Sequence, residues 1–151
     1  MIRAALDTNI LVYAANPTHD AGKHGIAVDI LARLSLGNRG LLPMQALTEF
    51  YTVVTRKVHA DPGKAKELVE VWGAVFPPRS AEMADLADAM RVHRDHGISF
   101  WDGMIWAVSR RAGAAYLLSE DLQDGRELEG VRFVNPFNPA NQDLLEHVLA
   151  F

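Results

Sequence analysis

IRAALDTNILVY, residues 2–13, is an apolar run broken in its middle by an acid, a hydroxyl and an amide. Residues 2–6 are too short and too apolar for a surface helix and predict a first β-strand. A short helix is expected to follow, from about Asn9 to Ala15, before the loop around Pro17. Asp7 therefore falls where a buried strand ends. A buried carboxylate is costly unless something pairs with it, so Asp7 demands company from elsewhere in the chain.

The rest of the sequence alternates short apolar runs with longer helical segments, the pattern of an α/β fold with a parallel sheet. Residues 22–36 predict a helix with Ile26, Ile30, Leu31 and Leu34 on one face. GLLPM (40–44) reads as a short strand closed by Pro43. QALTEFYTVVTRKV (45–58) is helical, with Leu47, Tyr51, Val54 and Val58 as its apolar stripe. Asp61-Pro62 starts a helix, an N-cap followed by proline in the first turn, running to about Phe76. Another helix is expected from Ser80 to about His96, ended by Gly97, and these two should form a hairpin beside the sheet. Residues 98–113 predict a further helix with Gly113 past its end. AYLLSED (115–121) repeats the opening design of apolar strand followed by acid. VRFVNPF (131–137) reads as the last strand and 139–151 as a closing helix.

The chain of 151 residues is expected to form one domain, 1–151, with a sizeable core. Its 49% hydrophobic and 23% charged residues are ordinary for a globular protein. It has no cysteine, which excludes disulfides, thiolate metal sites and a cysteine nucleophile and suits a reducing compartment. Asp7 interrupts the first apolar run too early for a signal peptide, and no run reaches membrane-spanning length. A cytoplasmic location without membrane contact is expected. The formal charge of −4 argues against a simple basic nucleic-acid binder. It does not argue against a nuclease whose carboxylates are neutralised by metal.

Four acids stand out by position. Asp7 and Asp121 each follow an apolar strand, on the rim where open parallel sheets bind ligands. Glu49 lies near the start of a helix apolar on most sides. Asp102 sits between Trp101 and Trp106, three residues after Ser99. Each has an ordinary explanation as a cap, turn or dipole-neutralising residue. If they meet, their mutual repulsion is severe, and hard divalent cations such as Mg²⁺ or Mn²⁺ resolve it. Zinc is less suited: His93 and His96 have helical spacing but sit at a polar helix end and are expected in solvent.

ALDTNILVY (5–13), LTEFYTVV (47–54), SFWDGMIWAVSRRAG (99–113) and YLLSEDLQDG…VRFVNPF (116–137) together resemble the motifs of PIN-domain proteins, most of all the VapC toxins of type II toxin–antitoxin modules. The resemblance spans nearly the whole chain, in order. It implies a three-layer α/β/α sandwich around a parallel sheet and endoribonuclease activity with Mg²⁺ or Mn²⁺. Asp7, Glu49 and Asp102 match the principal acids of that family and Asp121 the more variable fourth. Asn9 and Ser119 match polar positions that orient them. Asp124 is a further candidate, with a turn-stabilising role as its alternative, and Glu120 is expected to face solvent. The resemblance also implies an RNA substrate, a cognate antitoxin and a homodimer.

Ser99 and Ser119 lack an evident histidine base, so covalent catalysis is not expected. Thr8 is expected to make a local backbone bond. Candidate RNA contacts are Arg56 and Lys57, Arg91 and Arg94, and Arg110 and Arg111. Trp101 and Trp106 are candidate stacking residues, core packing being the stronger expectation for Trp106. A Mg²⁺-dependent phosphoacceptor domain of the signalling type is a rival, but the last strands lack its lysine. A housekeeping RNA-processing PIN protein and an inactive PIN scaffold are the others; the small size favours the toxin, and the four acids favour an active enzyme.

Overall fold

The computed structural model describes residues 1–150. In chain order the elements are β1 (Ala4–Leu6), α1 (Thr8–Ala15), α2 (Ala21–Leu36), β2 (Gly40–Leu41), α3 (Met44–Arg56), α4 (Pro62–Val75), α5 (Met83–His96), α6 (Phe100–Arg111), β3 (Tyr116–Leu118), β4 (Glu127–Leu128), β5 (Val131–Val134) and α7 (Gln142–Leu149), the last preceded by a 3-10 turn at Pro139–Asn141. The sheet order is β2-β1-β3-β5-β4. All neighbours pair in parallel except β4, which is antiparallel to β5.

The sheet separates two cores, giving the expected three layers. Alternation along each strand sends neighbouring residues to opposite faces. Ala4, Leu6, Leu118 and Val134 face the layer of α1, α2, α3, α4 and α7, whose core includes Ile10, Ile30, Leu34 and Phe50. Ala5, Leu117 and Phe133 face the layer of α5 and α6, with Val92, Ile105 and Trp106. Covered on both sides, the central strands are apolar throughout rather than alternating. Two glycines permit close approaches: a Cβ at Gly40 would lie 2.4 Å from the Phe76 ring, and one at Gly103 would lie 3.2 Å from the carbonyl oxygen of Ala89 on α5. Buried Arg39 donates to the carbonyls of Val148 and Leu149, satisfying the end of α7.

Several expectations are corrected. The predicted α4–α5 hairpin does not form: α4 packs on α3, with Trp72 edge-on to Phe50, and α5 packs on α6. Helix α5 starts at Met83, not Ser80, because Glu82 and Asp85 form a capping box there. On α3 the buried stripe is Leu47, Phe50 and Val54, while Tyr51 and Val58 are exposed. Strand β4 was not expected from sequence: it is two residues long and is turned by Glu129 and Gly130, both at positive φ. The closing helix is confined to Gln142–Leu149, and Phe151 lies outside the described residues. Among the described residues, no helix is long and apolar enough to cross a membrane.

Candidate metal centre

Register places the first acid. Leu6 of β1 pairs with Leu118 of β3, so Asp7 and Ser119 leave the sheet side by side. Ser119 Oγ donates to Asp7 Oδ2 at 2.6 Å, and the Thr8 amide donates to Oδ1 at 2.7 Å as Asp7 caps α1. Asp7 is only 4% exposed. Burial pushes its pKa up to about 6; the bonds from Ser119 and Thr8 oppose this, and the charges of Asp102 and Asp121 add to it. The charges of Asp102 and Asp121 therefore reach Asp7.

Glu49 reaches the same rim from α3 and is fully held. Its Oε1 accepts from Gln45 Nε2 at 2.8 Å and its Oε2 from Thr8 Oγ1 at 2.7 Å. The Thr8 hydroxyl thus does not make the local backbone bond expected of it; it spans α1 and α3. Gln45 Nε2 also donates to the carbonyl of Trp101 at 3.1 Å, joining α3 to the first turn of α6. Asp102 stands in that turn, half-buried, its amide donating to Ser99 Oγ at 3.3 Å. Cap and rim position coexist on one residue. Neither Gln45 nor Thr8 was singled out as orienting Glu49. The i, i+4 spacing of Gln45 and Glu49 was a signal; for Thr8 the sequence offers none.

Asp121 does not end a strand as expected: β3 stops at Leu118 and Ser119 occupies the end. Asp121 is exposed, with its amide donating to Ser119 Oγ at 3.1 Å and its Oδ2 accepting from Asn9 Nδ2 at 3.1 Å. Asn9 Oδ1 is buried without a partner among the described residues. Glu120 is not solvated: it accepts from the Tyr13 hydroxyl at 2.6 Å and from Lys23 at 2.9 Å. Asp124 stands apart from the other acids. It accepts from the amide of Asn135 and the side chains of Asn138 and Asn141, tying the loop after β3 to the segment after β5. Burial raises its pKa, but these donors outweigh burial and hold the carboxyl below its usual range.

Beside the acids opens a cleft of about 380 Å³ lined by Asn9, Tyr13, His19, Glu49, Lys57 and Asp121, among others. Among the described residues, no three His, Asp or Glu side chains are grouped tightly enough to ligate one ion as they stand. The donor set still fits a hard cation: it is all oxygen, its charges repel, and Asn9 brings an unpartnered oxygen.

A family model for the PIN domain matches residues 4–123. The chain belongs to the PIN-domain family. PIN domains are generally metal-dependent nucleases that typically use divalent ions such as Mg²⁺. No curated protein sequence matches the chain. The matched span of this PIN domain contains Asp7, Glu49, Asp102 and Asp121 and ends before Asp124. Its basic residues divide sharply. Arg91 pairs with Glu129, Arg94 with Asp95 and Arg111 with Asp85, while Arg110 donates to the Glu129 carbonyl. Arg56 and Lys57 are exposed and form no salt bridge among the described residues, and Lys57 borders the cleft. His93 and His96 are exposed, as expected.

Proposed function

We propose that this PIN domain is a Mg²⁺- or Mn²⁺-dependent endoribonuclease, the toxin of a type II toxin–antitoxin module. The nuclease reading is supported by Asp7 bonded to Ser119 at the carboxyl ends of β1 and β3, by the charges of Asp102 and Asp121 acting on Asp7, and by Glu49 tied to the same rim through Thr8. Asp7, Glu49, Asp102 and Asp121 are the residues that would hold the metal. The bound cation supplies polarisation of a phosphoryl oxygen and acidification of a water.

The chain's own groups do the positioning. Ser119 and the Thr8 amide fix the two oxygens of Asp7, and Asn9 fixes Asp121. Gln45 and Thr8 aim Glu49 at the cleft. Lys57 attracts a phosphate into an otherwise acidic opening. No serine is poised as a nucleophile: Ser119 is spent on Asp7 and Ser99 on the cap of α6.

The toxin assignment is supported by the ordered DTN, LTEF, FWDG and SED segments, which are similar to VapC proteins. It brings an antitoxin that blocks the cleft and a homodimer as expected partners. Purified protein should cut a panel of defined RNAs with Mg²⁺ or Mn²⁺ and not with EDTA, and Asp7→Asn and Asp102→Asn should each abolish cutting while circular dichroism is unchanged. Equal cutting by both variants would end the mechanism. Growth arrest on expression, relieved by the product of an adjacent short reading frame, tests the toxin role separately.

A further inference from the structure

Trp101 is the odd member of the three tryptophans. Trp106 is fully buried and Trp72 is 9% exposed, whereas Trp101 is 63% exposed. Trp106 also has its indole N–H bonded to the Leu128 carbonyl, as a core tryptophan should. Trp101 contributes little to either core, yet it is not loosely placed. Its carbonyl accepts from Gln45 Nε2, the same nitrogen that holds Glu49, and its ring meets Phe100 edge-on, with centroids 5.1 Å apart at 72°. It immediately precedes Asp102 on α6. Its backbone is thus fixed beside the acid rim, and most of the ring's surface is in water.

We propose that the Trp101 indole is a stacking platform for one unpaired nucleobase beside the scissile phosphate. The proposal rests on the nuclease reading and specifies its substrate as single-stranded at that nucleotide. The cleft with Lys57 opens on the α1 and α3 side of the acids, and Trp101 borders them on α6. A strand whose phosphate lies at the acids passes Lys57 in the cleft, and Trp101 adjoins Asp102 with its ring exposed. With a net charge of −4 and Arg91, Arg94 and Arg111 paired to acids, charge beyond Arg56 and Lys57 supplies little affinity. Base–aromatic stacking supplies it without depending on charge.

Two measurements test this. Intrinsic fluorescence of the protein in Ca²⁺ is titrated with a short single-stranded oligoribonucleotide and with its duplex. In Mg²⁺, KM is measured on a set of single-stranded substrates, each carrying one abasic site near the cut. The single strand should quench wild type and not Trp101→Ala, and the duplex should quench neither. Trp101→Ala and Trp101→Leu should raise KM about 5- to 100-fold with kcat little changed, and Trp101→Phe should restore most of the loss. One abasic position should raise KM for wild type and have no effect on Trp101→Ala, a pattern that a merely structural role would not produce. Cleavage with no quench and identical abasic profiles overturns the platform and leaves the nuclease; an indole that serves a protein partner instead gives this result. Quench by the single strand without cleavage in any divalent ion overturns the nuclease and leaves base stacking standing.

Discussion

Asp7 carries a cost that asparagine would not. Its pKa is about 6 in the fold against 3.8 for a free aspartate, so the native state binds the proton more tightly than the unfolded chain. Stability from this group is full below about pH 4 and is lost as pH rises through 6. A shift of this size is worth about 3 kcal/mol. Asp7→Asn should therefore raise the melting temperature of the metal-free protein at about pH 8, and the gain should vanish toward pH 4. Mg²⁺ should stabilise wild type and not the variant, because a bound cation offsets the cost of the buried charge. Melting curves over pH with EDTA and with Mg²⁺ check both statements; a variant less stable than wild type at pH 8 contradicts them. Thr8 acts through Glu49. Thr8→Val keeps the shape of the side chain and leaves Glu49 Oε2 without its 2.7 Å donor. The Mg²⁺ concentration for half-maximal cleavage should rise about tenfold, read from metal titrations of initial rate.

Among the elements, the α5–α6 pair sets where Asp102 stands. Gly103 lets α6 approach the backbone of α5, and Arg111 clamps the other end by donating to Asp85, which is 1% exposed, and to the Ser80 carbonyl. Arg111→Met leaves the buried Asp85 without its countercharge. The urea midpoint of unfolding should fall, because an uncompensated buried carboxylate is costly. Adding Asp85→Asn to it should recover part of that loss. The same geometry takes Arg111 out of the candidate RNA contacts: its charge belongs to the staple.

Over the whole molecule, the distribution of basic residues matters more than the net charge. Arg91, Arg94 and Arg111 are engaged by acids, while Lys57 opens onto the cleft. Lys57→Ala should raise KM for single-stranded RNA and lower the steepness of its salt dependence by about one phosphate contact. Arg94→Ala should change neither. Kinetics at several KCl concentrations distinguish them.

The sequence by itself determined most of the elements and the candidate acids. An apolar run of strand length ending at Asp7, helix starts at Asp61-Pro62 and Ser99, and the spacing of Leu47 and Val54 are local signals, because propensity, capping and periodicity act over a few residues. The tertiary structure alone decided which charges are free and which are held. Pairing of Asp85 with Arg111, the bond from Thr8 to Glu49, the enclosure of Glu120 by Tyr13 and Lys23, and the removal of Asp124 to a loop tie all join residues distant in sequence. Hydrogen bonds and desolvation depend on what packing brings within a few ångströms, and no local pattern encodes that distance.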